Sequence, residues 1–155
     1  MSEAFQDSYP AELSHCYGCG SQNSEGLQLK SYWDGDETVA AYTPRPEHTA
    51  LPGYVYGGLI ASLVDCHGTG SAAAAGSRER GLEPGGEPLL RYVTASLQVD
   101  YLAPTPMGEE LQLRGRIEEI TERKVVVAQT VRAGDVEVAR GRVVAVPMPE
   151  GMGAR

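Results

Sequence analysis

Only one stretch of this chain carries a sustained helical period, and four strand-like stretches follow it. From Gly57 onward, Leu59, Ile60, Leu63, Val64 and His67 recur at helical spacing. The small residues Ala61, Ser62, Gly68, Ser71, Ala72, Ala73 and Ala74 fill the other faces. The spacing predicts a helix over residues 58–75, with Gly76 as its C-terminal stop. A helix so rich in Gly, Ala and Ser suits a sheet that wraps closely around it.

The remaining pattern is that of strands. Leu27, Leu29, Ser31 and Trp33 alternate with other residues, Asp34-Gly35-Asp36 makes a turn, and residues 37–43 resume the rhythm, which predicts a hairpin. After the helix, strands are expected over residues 92–102, 110–120, 124–132 and 136–146. Turns at Glu122-Arg123 and Ala133-Gly134-Asp135 separate the later ones. Pro104 and Pro106 end the first of the four, because proline cannot donate to a ladder. The expected architecture is α+β: a short hairpin, one long buried helix, and an antiparallel meander wrapped around it. Residues 1–14 read as a polar lead-in and 147–155 as a tail rich in Pro and Gly, neither expected to carry chemistry. Residues 77–88, with Arg78, Glu79, Arg80, Pro84 and several glycines, read as a mobile surface loop.

A length of 155 residues predicts one domain over residues 1–155. The net charge of −8 argues against a nucleic-acid partner, since phosphate binding needs concentrated Lys and Arg. The longest apolar runs, such as residues 59–64, fall far short of the roughly 20 residues of a membrane helix. Glu3 and Asp7 near the start, without a basic or apolar run, do not resemble a secretory leader, so a cytoplasmic location is expected.

Chemistry concentrates between His48 and Asp65. A Gly57-Gly58 pair entering a helix lets the backbone approach a ligand closely. It also leaves free N–H groups at the positive end of the helix dipole, where a carbonyl oxygen can be held as it becomes an oxyanion. Two turns on, Asp65 stands in an otherwise apolar helix. There a carboxylate is either functional and open to a cleft, or capped by a neighbouring backbone or paired with an arginine such as Arg91. Tyr54 and Tyr56 are candidates to line an acyl or aryl pocket. Cys16 and Cys19 are spaced like half of a zinc site, but no second pair follows, and His48 and Cys66 would have to be recruited from afar. Reduced structural thiols are the expectation, with no metal and no redox cofactor. Cys66 beside Asp65 is either a nucleophile or, as a cysteine in a packed helix, a small hydrophobe.

The run Tyr56-Gly57-Gly58-Leu59-Ile60-Ala61-Ser62-Leu63-Val64-Asp65 resembles the His-Gly-Gly…Asp signature of hotdog-fold acyl-CoA thioesterases of the PaaI-like kind. Cys16-Tyr17-Gly18-Cys19-Gly20, followed by Asn23 and Gly26-Leu27, is similar to the opening of one bacterial branch of that superfamily. His48 with Pro52-Gly53, and Tyr101-Leu102-Ala103-Pro104 with Gly108, extend the likeness over most of the chain. The resemblance implies a homodimer, or a dimer of dimers, with active sites at the seam between subunits. It implies an acyl-CoA substrate hydrolysed with Asp65 as general base or nucleophile, a Gly57 or Gly58 amide as oxyanion donor, and Thr94 of the partner subunit positioning water. A thiolate leaves readily, so a carboxylate and an oxyanion hole suffice.

Two positions depart from the family pattern: the histidine before Gly-Gly is Tyr56, and the usual loop Asn or Gln is Ala50. Tyr56 can still polarise a carbonyl through its phenol. The alternative function is a catalytically weak hotdog protein that binds acyl-CoA or a related small ligand without turnover. A dehydratase use of the fold is disfavoured because His67 should point to another helix face. His48, Tyr54, Arg91, Arg123 and Lys124 are the candidate substrate-binding residues. Arg78 and Arg80 are further basic groups that could meet the phosphates of coenzyme A.

Overall fold

The computed structural model describes residues 3–152. Its centre is one helix, α1 (Gly57–Glu79). Around it curls a six-stranded antiparallel sheet made of β1 (Ser31–Asp34), β2 (Glu37–Tyr42), β3 (Tyr92–Tyr101), β4 (Leu111–Ile120), β5 (Val125–Ala133) and β6 (Val136–Pro147). The spatial order is β1-β2-β4-β5-β6-β3. This is the hotdog arrangement.

The helix outruns its predicted end by a turn. Gly76 is not a stop: a Cβ there would lie 2.6 Å from the hydroxyl of Tyr92, so glycine is needed for close approach of the helix to β3. The stop is Gly81, at φ +67°. Its amide bonds to Arg78 O and that of Leu82 bonds to Ser77 O, the paired bonds of a left-handed helix cap. Residues 77–79, predicted as loop, therefore belong to α1.

The strand order also corrects the expected meander. β4, β5 and β6 do follow one another, but β3 pairs with β6, and β2 pairs with β4. The connection from β3 to β4 contains Pro104 and Pro106 and is no tight turn. It is tied instead to the loop before the helix, through Val55 N to Thr105 O at 2.8 Å and Met107 N to Gly53 O at 2.9 Å. β3 is thus carried to the far edge of the sheet. The first strand is shorter than predicted as well. Leu27 and Leu29 alternate and are buried, yet their amides bond to Tyr17 O and Gly18 O of the cysteine loop rather than to a strand.

Leu59, Ile60, Leu63 and Val64 of α1 are buried against Leu111, Leu113, Val127, Val131 and Val143 of the sheet. Complete burial of each such side chain contributes about 1.5–3 kcal/mol. The packing is close enough that a Cβ at Gly141 of β6 would overlap Val64. On the side of β1 and β2, α1 meets the sheet through polar groups. His67 Nδ1 lies 2.8 Å from Ser31 Oγ, and its Nε2 lies 3.1 Å from Thr38 Oγ1, which in turn contacts Ser71 Oγ at 2.7 Å. His67 is fully buried, and desolvation lowers its pKa to about 4, so the ring is neutral. The lead-in takes part: Gln6 Oε1 accepts from Ser31 N at 2.8 Å, and Phe5 meets Trp33 edge to face.

Candidate active site

Asp65 emerges from the third turn of α1 on the side facing β3, one of the two edge strands of the sheet. Its Oδ1 accepts a hydrogen bond from Thr94 Oγ1 at 2.5 Å. A bulge in β3 makes this contact: Thr94 opposes Ala145 and Ser96 opposes Val144, leaving Ala95 without a partner. The extra residue resets the alternation, so that Tyr92, Thr94, Leu97, Val99 and Tyr101 all sit opposite residues on the helix side of the sheet. Because β3 is an edge, the side remains open there, with Leu97 and Tyr101 exposed. Thr94 thus reaches Asp65 within one chain, where the resemblance had implied a threonine reaching across from a partner. The alternative pairing of Asp65 with Arg91 is not formed. Arg91 Nη1 donates to Leu13 O at 2.8 Å, and its guanidinium lies 4.0 Å from the Tyr9 ring centroid.

The N-terminal end of the helix is built by the loop before it. His48 is buried there rather than turned to solvent. Its Nδ1 accepts from Arg45 N at 3.0 Å, its carbonyl accepts from Tyr56 N at 2.8 Å, and burial pushes its pKa down. That makes His48 a brace of the loop entering α1. Tyr56 caps the helix without a side-chain hydrogen bond, so the first-turn amides of Gly57 and Gly58 are not taken by a capping side chain. The Tyr56 ring lies against Gly58, where a Cβ would overlap it. From β3, Tyr101 donates its hydroxyl to Gly57 O at 2.5 Å. Burial raises the pKa of this phenol, which keeps it a donor. Tyr101 is the group that sequence reasoning missed. Its place at the end of a strand gave no sign that it would meet the helix start.

Beside this corner lies a cavity of about 340 Å³, lined by Tyr54, Gly57, Ile60, Tyr101, Leu102 and Thr105. A second cavity of about 340 Å³ opens at the other end of α1, among Phe5, Trp33, Ala74, Arg78, Leu82 and Leu90. Arg78 is held there, stacked 3.5 Å from the Trp33 ring centroid. Arg123 and Lys124 lie in the turn joining β4 and β5, with Lys124 paired to Glu119 at 3.2 Å. Val125 is level with Ala145, and Ala145 with Thr94, so this turn is at the Thr94 end of the sheet. It is two strands removed from β3, roughly 10 Å at the usual spacing.

Cys66 is not remote from the cysteine pair of the N-terminal loop. Its Sγ lies 3.6 Å from that of Cys16, and the sulfurs of Cys16, Cys19 and Cys66 all fall within 4.8 Å of one another. The loop of residues 15–29 folds back onto the middle of α1, a contact between positions 50 residues apart that spacing alone could not reveal. No helix is long and apolar enough to cross a membrane among the described residues.

The thioesterase superfamily model matches residues 52–140. A thioesterase superfamily protein from Shewanella loihica PV-4 is 53% identical, with a TM-score of 0.71, and the match covers 93% of this chain and 99% of that one. Acyl-coenzyme A thioesterase THEM4 of Xenopus laevis is 30% identical over 117 residues, which is 74% of this chain; the chain spans 46% of the length of that relative. A protein of Streptococcus mutans UA159, solved bound to acetyl CoA, shares the fold at 17% identity and a TM-score of 0.59, over 77% of this chain and 88% of that one. Since the family match runs through the loop before the helix, the Gly-Gly turn, Asp65 and Thr94 alike, the chain belongs to the thioesterase superfamily.

Proposed function

We propose that this protein hydrolyses acyl-CoA thioesters, with Asp65 as the general base or nucleophile. The observation that carries the reading is a half-buried carboxylate with no ion-pair partner among the described residues, oriented by Thr94 and facing the open seam between α1 and β3. One oxygen of Asp65 is held by Thr94, which leaves the other for water or for the substrate carbonyl carbon. Coenzyme A as the acyl carrier is supported by the relatives: the Xenopus laevis protein is named an acyl-coenzyme A thioesterase, and related folds were solved with acetyl CoA or coenzyme A bound.

Gly57 and Asp65 are eight residues apart on one helix, about 12 Å along its axis. One thioester carbonyl cannot touch both, because attack and oxyanion binding each need contact near 3 Å. A complete site therefore combines the Gly57 or Gly58 amide of one subunit with Asp65 of another, which calls for a homodimer. β3 offers the seam: ten residues long, at the sheet edge, with Leu97 and Tyr101 exposed beside it. In that assembly Tyr56 polarises the carbonyl, and coenzyme A leaves as the thiolate.

The experiment is thiol release from short, medium, long and aryl acyl-CoAs by the native protein and by Asp65→Asn. Release that disappears in the variant is expected. Undiminished release by Asp65→Asn overturns the assignment of Asp65. The second reading, a protein that binds acyl-CoA without turnover, is favoured by the Tyr56 ring lying over Gly58 and by Ala50 in the loop. It prevails if no thiol is released while coenzyme A esters raise the melting temperature.

A further inference from the structure

We propose that Cys16, Cys19 and Cys66 form a three-thiolate site for a thiophilic closed-shell cation, Zn(II) or Cu(I), which clamps the N-terminal loop to the middle of α1. Three observations carry it. The sulfurs already have the spacing of a metal site. A cation bound at the usual Zn–S length holds its thiolates about 3.8–4.0 Å apart. The Cys16 and Cys66 sulfurs are 3.6 Å apart, and all three lie within 4.8 Å of one another.

The loop is also shaped to present sulfur. In Cys16-Tyr17-Gly18-Cys19-Gly20, the amide of Gly20 closes a turn on Cys16 O at 2.8 Å, while the amide of Gly18 points at Cys16 Sγ at 3.4 Å. An N–H aimed at a ligating sulfur is the outer partner that orients such ligands and offsets their charge. A Cβ at Gly18 would overlap Cys66 Sγ, so the close approach of loop and helix depends on the absence of a side chain there. Cysteines that served only as small hydrophobes would not require an amide directed at one of them.

Burial and access are suited to a bound ion. Cys19 and Cys66 are buried, whereas Cys16 is exposed and leaves an entry path. Three sulfurs, with no fourth protein ligand in the cluster among the described residues, match a trigonal Cu(I) site, or a Zn(II) site completed by water on the Cys16 side. Each thiol that ligates releases its proton to water, and no oxidation state changes. The site neighbours Asp65 in sequence but faces the N-terminal loop rather than β3, so it stands independently of the thioesterase reading.

The test uses the full chain, reduced and stripped with chelator, in separate titrations with Zn(II) against a chromophoric chelator and with Cu(I) under anaerobic conditions. One equivalent of at least one ion per chain is expected, together with a higher melting temperature. Co(II) used as a probe should show thiolate-to-metal charge transfer. Cys16→Ser and Cys19→Ser should weaken binding by more than the roughly 10–100-fold that loss of an outer partner costs. Cys16 is exposed, so its variant should fold without the ion, and a melting curve of the apo form checks this. Native protein that takes up neither ion overturns the proposal whatever the variants do. Equal affinity in the folded Cys16→Ser and Cys19→Ser variants also overturns it.

Discussion

The hydroxyl of Thr94 holds Oδ1 of Asp65 at 2.5 Å, joining the third turn of the helix to an edge strand of the sheet. Removing the hydroxyl while keeping the shape, in Thr94→Val, should lower kcat by about 10–100-fold, and Thr94→Ser should restore most of it. The drop is expected in kcat rather than KM, because Thr94 orients the carboxylate and not the acyl chain. Steady-state kinetics on the best acyl-CoA of the panel decide this, and wild-type kcat in Thr94→Val would remove Thr94 from the site.

At the helix start, Gly58→Ala should force the Tyr56 ring off the first turn, since its Cβ would overlap that ring. The obstacle is one flexible side chain, so the fold should survive. A displacement near 1 Å at this point is expected to cost on the order of 100-fold in kcat/KM. In a Tyr56→Ala background the same change should cost much less, and a double-mutant cycle measures the coupling. Additive effects would mean that Tyr56 and Gly58 act separately.

Gly141→Ala should destabilise the protein by about 1–3 kcal/mol, because the added methyl meets Val64 in a core with no room to yield. Val64→Ala in the same chain should recover part of the loss. Urea melts of the single and double variants provide the test.

Stability should depend on the proton at His67. Its folded pKa of about 4 lies below the ordinary 6.5, so between these values the unfolded chain binds more protons than the folded one. The contribution is complete above about pH 6.5 and is lost as the pH falls toward 4, by about 3 kcal/mol at most. Chemical denaturation at pH 7 and pH 5 should show the decline, and His67→Gln should flatten it while lowering stability at pH 7. Equal pH slopes in both proteins would show that His67 is not its source.

Much of the fold was legible because α1 and the strands β4 to β6 carry strong local periods. Where prediction failed, the deciding contact was distant in sequence. The alternation of Leu27 and Leu29 reads as a strand, but their amides found the cysteine loop first. Gly76 reads as a helix stop, but it is a gap left for Tyr92. The partner of β3 depended on where a proline-containing connection crossed, which no period encodes. The site divides in the same way. Asp65 and the Gly-Gly turn stand out locally. Tyr101, the buried role of His48, and the convergence of Cys66 on the N-terminal loop all depend on tertiary approach.

The interlock of Gly141 with Val64 fixes how far the helix can roll. The compass bearing of Asp65 is consequently set by the protein's interior together with Thr94, and not by the loops. The lining of the cavity beside the helix start, at Tyr54, Leu102 and Thr105, can be remodelled to admit a different cargo without re-aiming the carboxylate, so selectivity and reactivity are free to change separately.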